Sequence, residues 1–81
     1  MDTHKFMQMC EDKLQKVVPL GAKIWLVWVT KAAQNNKAVY ADSITPFLYE
    51  VTHNGDTGEV YFVTYQQVKK ETLKVTEGGL V

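Results

Sequence analysis

An α+β fold is what this 81-residue sequence predicts: an N-terminal helix, a four-stranded antiparallel sheet and a short C-terminal helix, in the order α-β-β-β-β-α. Three observations predict it. Apolar residues Phe6, Cys10, Leu14 and Val17 recur at helical spacing near the start. Four apolar or alternating runs follow, separated by short connections rich in Asn, Gly, Ser and Pro. Tight loops between successive strands make an antiparallel sheet, and helices that flank such a sheet pack on one of its faces. Residues 1–75 are expected to form a single domain and 76–81 a flexible C-terminal tail.

The first helix has Asp2 or Thr3 as its cap, and Pro19 followed by Gly21 ends it. Lys5, Glu11, Asp12, Lys13 and Lys16 occupy much of its polar side, with Asp12 and Lys16 in the favourable i,i+4 order. Lys23–Thr30 is the strongest strand signal. Strict alternation puts Ile24, Leu26 and Trp28 on one side and Trp25, Val27 and Val29 on the other. One tryptophan is therefore expected under the helices and the other on the face without helices. Gln34-Asn35-Asn36-Lys37 reads as a turn, because asparagine tolerates left-handed backbone angles. A second strand follows over Ala38–Ala41.

Phe47 to His53 alternates cleanly, with Phe47, Tyr49 and Val51 on one face and Leu48, Glu50 and Thr52 on the other. Asn54–Gly58 is a hairpin loop, and Glu59–Thr64 is the returning strand. Thr64 then reads as a helix cap answered by Gln67 three residues on, with a short helix from Val68 to about Lys74.

Composition narrows the function classes. Nine basic and nine acidic residues cancel, and every basic residue is lysine. Arginine is the usual bidentate partner of phosphate and guanine, so its absence counts against a dedicated nucleic-acid binder. The single cysteine, Cys10, forms no disulfide within the chain and no thiolate zinc cluster. In the apolar stripe of the helix it reads as a buried, inert core residue. No apolar run approaches the ~20 residues of a membrane span. Met1–Lys5 lacks the basic segment and apolar run of a signal peptide, so a cytoplasmic protein is expected.

Catalytic and ligand constellations are scarce. Cys10 with His4 or His53 is the one thiol–imidazole option, and the two histidines stand in different elements without a second ligand at metal spacing. The loop His53–Glu59 shares fragments with a calcium loop but lacks its other acidic positions. Gly78-Gly79 opens no helix and is no phosphate loop. No catalytic residue, metal site or cofactor is expected, and the chain reads as a binding protein, not an enzyme.

The aromatic supply is what core packing explains least. Trp25, Trp28, Tyr40, Tyr49, Tyr61 and Tyr65 lie on or beside the strands, and a sheet covered on one face buries about half of them. The remainder would form an exposed aromatic face of the kind that marks binding sites. The competing readings are a homodimer, or rings lying along the sheet under lysine stems.

From Trp28 through about Val68 the chain resembles a family of small, uncharacterised proteins encoded by phages and prophages of low-GC Gram-positive bacteria. The resemblance rests on Val27-Trp28, Lys31, Gln34–Ala38, Tyr49–Thr52, Asn54-Gly55, Glu59, Tyr61 and Tyr65. It implies a setting in a bacterial host cell and supplies no catalytic residues. Small phage proteins of this kind often occupy the surface of a host protein. The expected function is thus inhibition or modulation of a host protein, as in counter-defence against CRISPR nucleases or host takeover, by occlusion. The contact residues expected are Trp25, Trp28, Tyr40, Tyr49 and Tyr61, limited to whichever face is open. The alternative is a nucleic-acid or nucleotide-binding module that stacks bases on the sheet aromatics and holds phosphates with lysines such as Lys31 and Lys37.

Overall fold

Asp2 starts the helix. Its carboxylate accepts a 2.8 Å hydrogen bond from the backbone N–H of Lys5, which satisfies one of the free donors at a helix N-terminus. In the computed structural model, which describes residues 1–66, 71–72 and the backbone of 75–76 and 79–80, α1 spans Thr3–Leu14. It ends earlier than the position of Pro19 suggests. The chain leaves the helix at Gln15 and passes through turns in which the N–H groups of both Val17 and Val18 bond to the Leu14 carbonyl. This break rotates the apolar stripe: Phe6, Cys10, Leu14 and Val18 are buried, and Val17 is exposed.

Four strands follow as one antiparallel sheet in sequence order: β1 (Ile24–Ala32), β2 (Asn35–Asp42), β3 (Phe47–His53) and β4 (Val60–Gln66). Further on, β5 (Val75–Thr76) pairs antiparallel with β6 (Gly79–Leu80). The helix expected from Val68 to about Lys74 lies outside the described residues, except that Glu71 and Thr72 belong to no regular element. Thr64, expected as the cap of that helix, stays in β4 opposite Tyr49, while Tyr65 and Gln66 pair with Leu48 and Phe47. Continuing the ladder satisfies several backbone groups at once, against the ~1 kcal/mol of a cap.

The first hairpin turns at Ala33-Gln34, and Asn35 and Asn36 belong to β2. Ala33 has φ 55°, and positive φ at the first loop residue alone belongs to the II′ arrangement that suits twisted hairpins. The asparagines serve tertiary hydrogen bonds. Asn35 Oδ1 accepts from the Gly55 N–H, and the fully buried Asn36 donates through Nδ2 to the Met1 carbonyl. The Asn54–Gly58 loop closes as expected, with Asn54 Oδ1 accepting from the N–H groups of Asp56 and Thr57. It abuts the first hairpin so closely that a Cβ on Gly55 would stand 2.1 Å from the Gln34 carbonyl oxygen.

Helix α1 covers one side of the sheet. Phe6, Cys10, Leu14 and Val18 pack on Ala38, Tyr40, Tyr49 and Val51, with Met9, Ile24, Leu26, Val29, Phe47 and Val60 around them. Each large apolar side chain fully buried here contributes roughly 1.5–3 kcal/mol. Cys10 is fully enclosed, and burial, with a smaller push from Glu11, drives its thiol pKa up to about 12. Two polar anchors sit at the margins. The Tyr40 hydroxyl donates to Glu11, and Asp42 gathers the connection after β2.

Candidate functional site

The register of the strands defines the side of the sheet away from α1. Tyr40, Ala38 and Asn36 point toward the helix, and their β1 partners are Leu26, Val29 and Lys31. Trp25 pairs with Ala41 and Trp28 with Val39, so both tryptophans point the other way. The expectation of one tryptophan on each face is therefore corrected. Its premise was strict alternation, and β1 breaks it: the register shifts between Leu26 and Trp28, leaving Val27 as an extra residue without a partner on β2. Such a bulge moves every later residue to the opposite face.

Across the sheet the open face forms three rows. The first is Trp25, Ala41, Leu48 and Tyr65; the second is Trp28, Val39, Glu50 and Val63; the third is Thr30, Lys37, Thr52 and Tyr61. Trp25, Trp28, Tyr61 and Tyr65 are 50, 44, 49 and 50% exposed, and Leu48 and Val63 are similarly open. Lys37 and Glu50, the only charged strand residues on this face among the described residues, form a 3.5 Å ion pair near its centre.

The structure thus brings together four of the residues singled out from sequence: Trp25, Trp28, Tyr61 and Lys37. Tyr40 and Tyr49 lie buried on the helix side. Tyr49 donates a 2.6 Å hydrogen bond to Asp42, and Tyr40 a 3.2 Å bond to Glu11. Desolvation, then Glu11 for Tyr40 and the Asp42 hydrogen bond for Tyr49, raises both phenol pKa values, so both remain neutral donors at ordinary pH. Lys31 is exposed but stands in register with Asn36 on the helix side, away from the aromatic rows.

Leu48, Val63 and Tyr65 are not among the contact residues expected from sequence, although Tyr65 is counted in the aromatic supply. Alternation carried the signal for Leu48, since it faces away from Phe47, Tyr49 and Val51. That same alternation puts Tyr49 on the face of Phe47 and Val51, opposite Leu48. Tyr65 was assigned to a helix start beyond the strand.

Two other places hold polar or concave features. Asn36 and His53 are cross-strand neighbours on the helix side, and Asn36 Oδ1 and His53 Nδ1 are buried without a hydrogen-bond partner. A shallow cleft of about 100 Å³ lies between the end of α1 and β4, lined by Leu14, Val17, Tyr49, Phe62 and Thr64 with Lys13 at its rim. Its walls are apolar and present no nucleophile with a base. Among the described residues no three His, Cys, Asp or Glu side chains cluster as a metal site, and no helix is long and apolar enough to cross a membrane.

A family model for the family of unknown function DUF6275 matches residues 3–75. The chain belongs to that family. The match takes in α1 and all four strands of the sheet, so the helix-covered side and the aromatic side both fall within it. No curated protein and no solved structure matches the chain.

Proposed function

We propose that this DUF6275 protein is a non-catalytic binding protein, phage-encoded, that inhibits or modulates a host protein in the bacterial cytoplasm by occluding its surface. One observation carries the reading: a whole sheet face bears Trp25, Trp28, Leu48, Tyr61, Val63 and Tyr65 in the open. Contiguous exposed apolar patches mark interaction sites, and Trp and Tyr are the residues that anchor protein interfaces. The rings are held by a four-stranded sheet, so little ordering entropy is lost on docking. The counter-defence role comes from the family resemblance and the absence of a catalytic pattern in the sequence.

Base stacking is the second reading, favoured by the same aromatics. The charge arrangement weighs against it. Lys37 is engaged with Glu50, and Lys31 is on the other side of the sheet, so the face offers phosphate little free positive charge.

A photo-crosslinking residue at Thr30 or Thr52, on the open face, tests the reading in host cells. One identified host protein should be captured, its capture should be abolished by Trp28→Glu, and it should survive Lys16→Glu on the exposed turn after α1. Capture indifferent to Trp28→Glu would overturn the assignment of the face. Capture of nucleic acid that weakens steeply with salt would favour the second reading.

A further inference from the structure

We infer that, when no partner is present, the open face is closed by a second copy of this chain, packed sheet against sheet about a twofold axis. The inference rests on the reading of this face as a docking surface and names what occupies it in the free protein.

The shielding of the middle strand is the first argument. Val39 and Ala41 lie on the open side yet are only 9 and 7% exposed, because Trp25, Trp28, Leu48 and Glu50 flank them in register on either side. The middle strand is covered by its neighbours, so a partner meets Trp25, Trp28, Leu48 and Glu50 across the centre of the face. A sheet face whose outward side chains are mostly apolar is matched by another sheet face, as in sandwiches whose layers stand about 10 Å apart.

Area is the second argument. Four half-exposed aromatics with Leu48, Val63 and the threonines offer roughly 600 Å² per copy, so two copies would bury roughly 1,200 Å², at the lower edge of specific interfaces. That suits a reversible dimer that yields to a better partner.

Charge is the third. The chain has nine acidic and nine basic residues, so two copies meet without net repulsion. The face carries one lysine and one glutamate side by side, and such a pair is its own complement under twofold rotation. Lys37 of one copy then faces Glu50 of the second, and the reverse.

Light scattering on sized protein and native mass spectrometry test this. At about 100 μM, where even micromolar affinity populates the complex, the wild-type chain should be dimeric. Trp28→Glu should be monomeric with an unchanged circular-dichroism spectrum. Lys37→Glu and Glu50→Lys should each weaken the dimer about tenfold or more by placing like charges opposite one another. An equimolar mixture of the two variants should restore it as a heterodimer, a rescue that loss of folding cannot imitate. A wild-type monomer at this concentration would overturn the inference. So would a dimer untouched by Trp28→Glu, such as one formed through an edge strand of the sheet. A monomer that still loses its crosslinked host partner on Trp28→Glu would overturn the dimer alone and leave the proposed function standing.

Discussion

The two faces of this sheet are built from the same four strands and share one backbone, yet they differ in what alternation delivers to them. The helix side receives Ala38, Tyr40, Tyr49 and Val51 and is closed by Phe6, Cys10 and Leu14. The open side receives as much aromatic surface, from Trp25, Trp28, Tyr61 and Tyr65, and no described element packs over it. Hydrophobicity alone therefore does not separate core from surface in this chain. The separation comes from the helix, which is long enough to cover one side only, and from a single bulge that moves a second tryptophan to the other side. Apolar surface spent outside the core in a domain of this size is expensive, since stability is only ~0.05–0.15 kcal/mol per residue. An apolar face kept open at that cost is the physical basis for reading it as a binding surface.

The largest effect separates the two faces by truncation. Phe6→Ala should destabilise the fold by about 3–5 kcal/mol, because the ring is fully buried between helix and sheet. Trp28→Ala, although it removes a larger ring, should cost under about 1 kcal/mol as a surface change. Urea melts of the two variants measure this. In protein dilute enough to be monomeric, a loss for Trp28→Ala equal to that for Phe6→Ala would mean that the open face is packed within a single chain.

Sequence made some of this legible and hid the rest for identifiable reasons. The β3 alternation was plain, because Phe47, Tyr49 and Val51 oppose Leu48, Glu50 and Thr52, and the strand keeps that division. The Asn54–Gly58 loop was plain for its turn residues. The Ala33-Gln34 turn was hidden: neither residue signals a turn, and the adjacent asparagines drew the turn onto themselves while serving as hydrogen-bonding strand residues. The bulge was hidden because a run of apolar residues reads the same with or without an extra member. The open face was predictable as a surplus of aromatics, but which rings occupy it depended on parity, and the bulge sets parity.

The next effect concerns the end of the sheet where both hairpin loops meet, which holds the two faces in one twist. Gly55→Ala would place a Cβ against the Gln34 backbone, and main chain yields less readily than a side chain. The variant should lose about 1–3 kcal/mol as an overpacked site. Asn35→Ala, which removes only the acceptor for the Gly55 N–H, should lose less. Equal losses would assign the effect to the hydrogen bond and not to the close approach.

At the opposite end, Asp42 ties the β2–β3 connection on the helix side. Desolvation acts to raise its pKa, but hydrogen bonds from Thr45, Tyr49 and the N–H groups of Thr45 and Ile44 outweigh it and hold it below the ordinary 3.8. A carboxylate with a depressed native pKa contributes stability that is present above its unfolded pKa and lost as pH falls toward the folded value. Stability should therefore decline below about pH 4. Asp42→Asn should lower the neutral plateau and flatten this acid limb, and melts across pH 2–7 would show both. An acid limb unchanged in Asp42→Asn would place the titrating group elsewhere.

The smallest expected effect is the sharpest test of why the faces differ. Leu26 pairs with Tyr40 and Trp28 with Val39, with Val27 between them unpaired. Deleting Val27 leaves those two pairings adjacent and the ladder regular. Leu26 then stays toward the helix, and Trp28 stays on the open face, with no later residue changing sides. In protein dilute enough to be monomeric, the deletion variant should fold with stability within about 1 kcal/mol of the parent, and iodide should quench both tryptophans as in the parent. Mutating Val27 to Ala keeps the extra residue and should also leave quenching unchanged. The informative contrast is insertion of a second alanine after Val27. Two extra residues favour a larger loop-out, or a strand slipped by one, and a slip would drive Trp28 toward Ala38 and the helix. Protection of one tryptophan in the insertion variant, with both open in the deletion variant, would show that the register of Trp28 against Val39, which the bulge preserves in the parent, assigns the second tryptophan to the open face. Loss of folding on deleting Val27 would show instead that the bend it introduces into β1 is needed to fit the sheet beneath the helix, and that the two faces cannot be set independently.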